Sequence, residues 1–245
     1  MGKLRVLDLF SGIGGFSLGL ERTGGFETVA FCEIAEYPRR VLGKHWPLTP
    51  VYRDVKAIPA LEVDLICGGF PCQPFSTAAH GVHVAEDLWP YMRASIDKSR
   101  PAYVIAENVA EKPIRKAETD LKDLGYGTTA IRVSASDGGA GHQRNRWWLC
   151  AYPDGSGELH GTIHAKARML SKLCEGVWSG ENLTRALRVP HGVPNRVDRL
   201  RALGNAVVPQ VVEMIGSAIL EAERNRITTA GLAYLHPSVK ETSDD

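Results

Sequence analysis

The sequence predicts a doubly wound α/β fold on a mostly parallel sheet, and three observations predict it. Short apolar, strand-like runs alternate with helix-like stretches through residues 1–152. The connections between them are short, which favours strands joined by crossover helices that cover both faces of one sheet. A length of 245 residues, 44% hydrophobic, with a mean hydropathy of -0.15, suffices for one sizeable core but hardly for two full domains.

The elements follow in order. Strand-like runs occur at Leu4–Phe10, Thr28–Cys32, Val63–Cys67, Ala102–Ala106, Thr128–Val133 and Trp147–Tyr152. Helix-like stretches lie between them at Phe16–Arg22, Ala35–His45, Leu88–Asp97 and Ile114–Leu124, the last stopped by Gly125-Tyr126-Gly127. From Pro153 to Pro194 the pattern loosens into Gly, Ser, His and Thr, as expected of a small lobe or long loop region. A final amphipathic helix is predicted over Val208 to Arg224, where Val211, Val212, Ile215, Ile219 and Leu220 recur at helical spacing. The expected division is 1–152 for the main domain, 153–195 for the lobe, 196–225 for a returning segment and 226–245 for a tail.

Composition narrows the class. No apolar run approaches 18 residues, so no membrane span is expected, and the apolar run from Val6 leaves no room for a secretory leader ahead of it. The five cysteines, Cys32, Cys67, Cys72, Cys150 and Cys174, are odd in number and form no C-x-x-C, which fits a reduced, cytoplasmic chain. A net charge of +1 announces no partner, but residues 132–201 carry eleven Lys/Arg against six Asp/Glu. A basic face of that kind suits nucleic acid and equally suits a solvated surface.

Four constellations carry chemistry. Asp8-Leu9-Phe10-Ser11-Gly12-Ile13-Gly14-Gly15-Phe16 is a strand opening through glycines into a helix, where backbone can approach a ligand closely. Glu33 ends the next strand, a place where an acid commonly holds a ribose diol. The glycine spacing is not G-x-G-x-x-G and no Gly-Lys-Ser/Thr follows, which argues against nicotinamide and triphosphate sites. Gly68-Gly69-Phe70-Pro71-Cys72-Gln73-Pro74-Phe75-Ser76 is a stiff turn at a strand's carboxyl end, where a thiol faces a site rather than the core. Cys32, Cys67 and Cys150 read instead as buried structural residues. Glu107-Asn108-Val109 ends a further apolar strand, and Arg144 and Arg146 would share one face of a strand before Trp147-Trp148. Paired guanidiniums there can hold a carbonyl, a phosphate or a carboxylate. The His160/His164 pair has helical spacing but no evident third ligand, so no metal is expected.

Together and in this order, the motifs resemble the DNA cytosine-5 methyltransferase family. Asp8–Glu21 resembles its cofactor loop, Gly69–Ser76 its Pro-Cys-Gln-x-Phe-Ser motif and Glu107-Asn108-Val109 its Glu-Asn-Val motif. Arg144-x-Arg146 resembles the end of its Gln-x-Arg-x-Arg motif, and Leu203-Gly204-Asn205-Ala206-Val207-Val208 its closing motif. The resemblance implies the S-adenosylmethionine-dependent methyltransferase fold with a reduced target-recognition lobe, a duplex DNA substrate, and a monomer working beside a cognate restriction endonuclease or recognition partner. It implies Cys72 as nucleophile toward carbon 6 of a flipped-out cytosine, Glu107 at N3, Arg146 at O2, and Arg144 fixing Glu107 or a phosphate.

For S-adenosylmethionine the resemblance points to the turn Ser11, Gly12, Ile13, Gly14 and Gly15 beside Asp8, with Phe10 against the adenine. Glu33 and Ile34 would meet the ribose side, Asp54 and Val55 the adenine edge. Gly69, Pro71, Asn205 and Ala206 would flank the methionine end. Gln73, Ser76, Arg168, Lys172, Arg185 and Arg188 are the implied DNA contacts; Trp178 reads as core of the lobe. Three features depart from the family pattern: Thr77–Asp87 holds no Lys or Arg, His142 stands where a Gln opens the arginine motif, and the recognition region is short. An RNA methyltransferase and a non-catalytic DNA-binding subunit remain the rival readings.

Overall fold

The structure is a computed structural model that describes residues 2–71, 86–134, 145–153, 157–173 and 196–235. Its frame is a seven-stranded sheet of β1 (Leu4–Leu9), β2 (Phe26–Cys32), β3 (Val51–Tyr52), β4 (Leu65–Gly69), β5 (Tyr103–Asn108), β6 (Tyr126–Ser134) and β7 (Asn145–Pro153). The spatial order is β3-β2-β1-β4-β5-β7-β6. β1 to β5 pair in parallel, whereas β7 lies antiparallel to both β5 and β6. The expected mostly parallel doubly wound sheet is what forms.

Strand alternation builds two cores, one on each face. Val6, Leu65, Cys67, Tyr103, Ile105, Trp148 and Cys150 point to one side, where they meet Phe16 and Leu20 of α1 (Gly15–Arg22) and the last helix. Leu7, Leu9, Ile66, Val104, Ala106, Leu149 and Ala151 point to the other, against α3 (Trp89–Ser99) and α4 (Glu111–Asp123). α2 (Glu36–His45) buries Leu42 alone. Two further helices, α6 (Arg196–Asn205) and α7 (Pro209–Leu235), bring the chain back.

Two elements differ from the sequence reading. The stretch after Pro153 opens with a helix, α5 (Gly157–Leu173), whose Leu159 and Ile163 are buried in the core under α7. Two apolar residues one turn apart, set among His, Lys and Arg, bury a face that shows no apolar run in the sequence. The helix packs against α7 and β6. α7 also outruns its predicted end at Arg224. By length and composition Ala202–Thr228 is apolar enough to cross a membrane, but Val211, Val212, Ile215, Ala218 and Ile219 are all in the core, which accounts for that apolarity. α1 and α7 touch closely enough that a Cβ on Gly19 would lie 2.4 Å from the Pro209 carbonyl oxygen.

Candidate active site

The strand order reverses between β1 and β4, and a crevice opens there at the carboxyl ends of the parallel strands. The cleft holds about 1310 Å³ and is walled by the β1–α1 turn, the end of β2, the starts of the loops after β4 and β5, the start of β7 and the α6–α7 junction. One half is formed by the β1–α1 turn, the end of β2 and the turn at Asp54–Lys56. Gly12 (φ 53°) and Gly14 (φ 86°) take left-handed conformations that turn β1 into α1, and a Cβ on Gly12 would meet nothing within 4 Å. Ser11 ties the turn to β2: its N–H donates to the Cys32 carbonyl at 3.0 Å, and its hydroxyl reaches the Asp8 carbonyl at 2.5 Å. Glu33 fixes both sides, one carboxylate oxygen accepting the Gly12 N–H at 2.8 Å and the other the Ala35 N–H at 2.7 Å. Beside it Ile34 stands 77% exposed in the cleft wall, and Phe10 lines the same wall in a left-handed conformation (φ 52°). Asp54 accepts the Lys56 N–H at 2.9 Å and so caps a short 3-10 turn at Val55–Ala57.

Asp8, Ile13 and Gly14 do not line the cleft. Asp8 lies behind the turn at 0% exposure, accepting the Ser17 hydroxyl at 2.8 Å. Burial pushes its carboxyl up to about 8. Its part is to hold α1 to β1 from inside.

The other half of the cleft is acid and arginine. Glu107, 8% exposed at the end of β5, meets the Arg146 guanidinium, with Arg146 Nε 2.7 Å from Glu107 Oε1. Arg144, expected to fix Glu107 or a phosphate, lies outside the described residues; Arg146, expected at the base carbonyl, is paired with Glu107. The ladder explains it, because Asn108 faces Trp147 and Arg146 is the next residue out along β7. A Cβ on Gly69 would come 2.9 Å from Glu107 Oε2, so the carboxylate end lies close over a residue that has no side chain. Asn108, 1% exposed, donates from Nδ2 to the Phe70 carbonyl at 3.0 Å and accepts the Ala110 N–H at 3.1 Å.

Cys32, Cys67 and Cys150 are buried free thiols; burial pushes the first and last up to about 12 and the second well above its ordinary value, so none is an available nucleophile. Cys72, Gln73, Ser76, Arg144, Arg185 and Arg188 lie outside the described residues. Pro71, Asn205 and Ala206 line the cleft, as do Gly15, Val55 and Gly69. Arg168 is exposed on α5, and Lys172 belongs to the same helix. Sequence reasoning missed Asn108 and a rim network in which Lys56 Nζ lies 2.7 and 2.9 Å from the two Glu86 oxygens, with the Tyr91 hydroxyl at 2.7 Å. A lysine directly after the Asp54-Val55 pair was the available signal for the latter. Among the described residues no group of three His, Cys, Asp or Glu could hold a metal.

A seven-stranded, mostly parallel sheet with a cleft at the switch point, walled by a glycine turn with a flanking acid and by an acid–arginine pair, defines the class as a methyltransferase-type α/β fold. The family model of the C-5 cytosine-specific DNA methylases matches residues 4–175, and the chain belongs to that family. The Type II methyltransferase M.HgiBI of Herpetosiphon aurantiacus is 34% identical over 165 residues, covering 61% of this chain and 37% of that protein. M2.BsuMI of Bacillus subtilis is 31% identical over 163 residues, 60% and 42% of the two chains. This chain thus spans about two fifths of the length of these curated relatives. A prophage-encoded E. coli protein assigned as a DNA modification methyltransferase superposes with a TM-score of 0.52 at 30% identity, covering 62% and 47%. A mutant DNMT2 of Spodoptera frugiperda superposes at 0.54 with 23% identity, covering 62% and 51%, a likeness of fold.

Proposed function

We propose that the chain is a DNA (cytosine-5-)-methyltransferase acting on duplex DNA, in restriction–modification or in protection of viral DNA. The observation that carries this reading is the Glu107–Arg146 pair set against side-chain-free Gly69, two residues before Pro71-Cys72. Phe10, Ile34 and Glu33 fit a nucleoside-bearing cofactor, the first two by apolar surface in the cleft wall and the third by a carboxylate fixed beside the turn. When bound there, S-adenosylmethionine supplies an electrophilic methyl group.

The chain's own residues do the rest. Cytosine carbon 5 is a poor nucleophile until the Cys72 thiolate adds to carbon 6 and pushes electron density to it. Glu107 holds N3, with Arg146 keeping the carboxylate in place as charge builds on the ring. After methylation at carbon 5, loss of the proton there expels Cys72 and restores the ring double bond. The cytosine must leave the stack, at a cost of about a few kcal/mol. Exposed Arg168, with Lys172, Arg185 and Arg188, supplies phosphate contacts.

The purified chain, incubated with S-adenosylmethionine and unmethylated DNA of mixed sequence, is expected to form 5-methylcytosine detectable by nucleoside mass spectrometry, and Cys72→Ala to form none. Methylation of transfer RNA in place of DNA would overturn the substrate, and 5-methylcytosine from Cys72→Ala would overturn the mechanism.

A further inference from the structure

Gly14 closes the β1–α1 turn as the N-cap of α1, left-handed at φ 86°, and no side chain caps that helix end among the described residues. Behind it stands Trp46, at the end of α2. A Cβ on Gly14 would lie 2.6 and 2.7 Å from Cζ3 and Cη2 of the indole, so the six-membered ring packs against the turn. The same indole is also held in the last turn of α1, where Nε1 donates to Glu21 Oε2 at 2.9 Å. Glu21 Oε1 accepts the Thr28 N–H of β2 at 3.1 Å. The indole meets the buried Phe31 ring edge-on, with centroids 5.2 Å apart. One side chain from α2 thus touches the start of α1, the end of α1 and β2.

We infer that Trp46 is the positioning residue of the glycine turn and that it raises the affinity for S-adenosylmethionine without touching it. The inference rests on the proposed function above for the identity of the ligand. Trp46, Glu21 and Gly14 do not line the cleft, whereas Ser11, Gly12 and Gly15 on either side of Gly14 do. A left-handed glycine is permissive and costs entropy to fix. Trp46 supplies the wall that fixes it. The bond to Glu21 sets the orientation of that wall, because an indole N–H can only donate and needs an acceptor. The uncapped N–H groups at the start of α1 then belong to a rigid helix end, and a ligand that meets them does not have to order the turn as it binds.

The test uses Trp46→Leu, which removes both contacts with α1, and Trp46→Phe, which keeps a ring and loses the N–H. Tyr103→Phe is the control, destabilised at a buried hydrogen bond away from the turn. Hydrogen exchange over residues 12–18 is expected to speed up about five- to tenfold in Trp46→Leu, with exchange in β5 as in the wild type. Calorimetric titration with S-adenosylhomocysteine should give a Kd about tenfold weaker in Trp46→Leu and about threefold weaker in Trp46→Phe, the size of a modest hydrogen bond. Tyr103→Phe should bind as the wild type does. In a Glu21→Ala background the loss from Trp46→Phe should shrink, because the ring has already lost its orientation. Methylation should show KM for S-adenosylmethionine raised in step with Kd, and kcat within about twofold. Unchanged exchange over residues 12–18 in Trp46→Leu overturns the positioning role, whatever the affinity. Faster exchange with an unaltered Kd overturns its part in binding, as does a loss in Tyr103→Phe equal to that in Trp46→Leu. A wild type that binds no S-adenosylhomocysteine overturns the cofactor reading on its own account, and exchange still decides whether Trp46 holds the turn.

Discussion

Asp8 is an acid held where an ionised acid is costly. It is fully buried, and one oxygen accepts the Ser17 hydroxyl at 2.8 Å. Burial raises its carboxyl from 3.8 to about 8, and the nearby Glu33 and Glu21 push the same way. In the native state Asp8 therefore keeps its proton at pH 6, where the unfolded chain has lost it. An acid whose native value is raised stabilises the fold least when it must ionise, so stability falls as pH rises from about 4 and levels off above about 8. While native and unfolded states differ by a whole proton the slope is about 1.4 kcal/mol per pH unit, and it halves near the native value, giving about 2 kcal/mol lost between pH 6 and 8. Asp8→Asn accepts the Ser17 hydroxyl and has nothing to ionise. Urea unfolding of both proteins from pH 6 to 9 should show the wild type losing about 2 kcal/mol more than the variant by pH 8. Parallel stability curves would refute the argument, for they would mean that Asp8 is ionised in the fold throughout and that its burial costs little.

Three other outcomes are expected. Gly69→Ala places a Cβ 2.9 Å from Glu107 Oε2, and because Arg146 holds the carboxylate at 2.7 Å the acid cannot retreat freely; steady-state kinetics should show kcat down about tenfold or more with near-normal thermal stability. Glu33→Gln replaces one of two acceptor oxygens by a donor facing the Gly12 or Ala35 N–H; calorimetric titration with S-adenosylhomocysteine should give a Kd about tenfold weaker. Tyr103→Phe removes a buried hydroxyl that donates to Glu223 at 2.7 Å, and chemical denaturation should report a loss of about 1–2 kcal/mol with methyl transfer unaffected, since both residues lie on the far side of the sheet's length from the cleft.

The sheet was legible because its strands are short, apolar and separated by turns that glycine and proline mark. β1, β4 and β5 differ from their sequence ranges by a residue or two. β3 was not legible: Val51 and Tyr52 make a strand only by docking on Phe31 and Cys32. Nor was α5, whose burial depends on Leu159 and Ile163 finding the α7 surface more than forty residues later in the chain. In the site, the glycine turn, Glu33 and Glu107 could be read because each ends a recognisable strand. The pairing of Arg146 with Glu107 could not, for only the β5–β7 register, with Asn108 opposite Trp147, sets Arg146 beside the acid. Asn108 names no partner in the sequence because its acceptor, the Phe70 carbonyl, is 38 residues away.

These unreadable contacts share a physical cause. Strand ladders end where the loops that carry function begin, and such loops, rich in glycine and proline, offer few N–H and C=O groups in register. On the glycine-turn half, Ser11 continues the β1–β2 ladder through its own N–H and hydroxyl on Cys32, and Glu33 gathers the Gly12 and Ala35 amides. On the Glu107 half, Asn108 continues the β4–β5 ladder to Phe70. Between the halves the backbones themselves meet: a Cβ on Gly68 would lie 2.6 Å from the Leu9 carbonyl oxygen, so glycine lets β4 close on β1 at the strand-order reversal. Side chains thus extend the sheet by one bond on either side of the crevice.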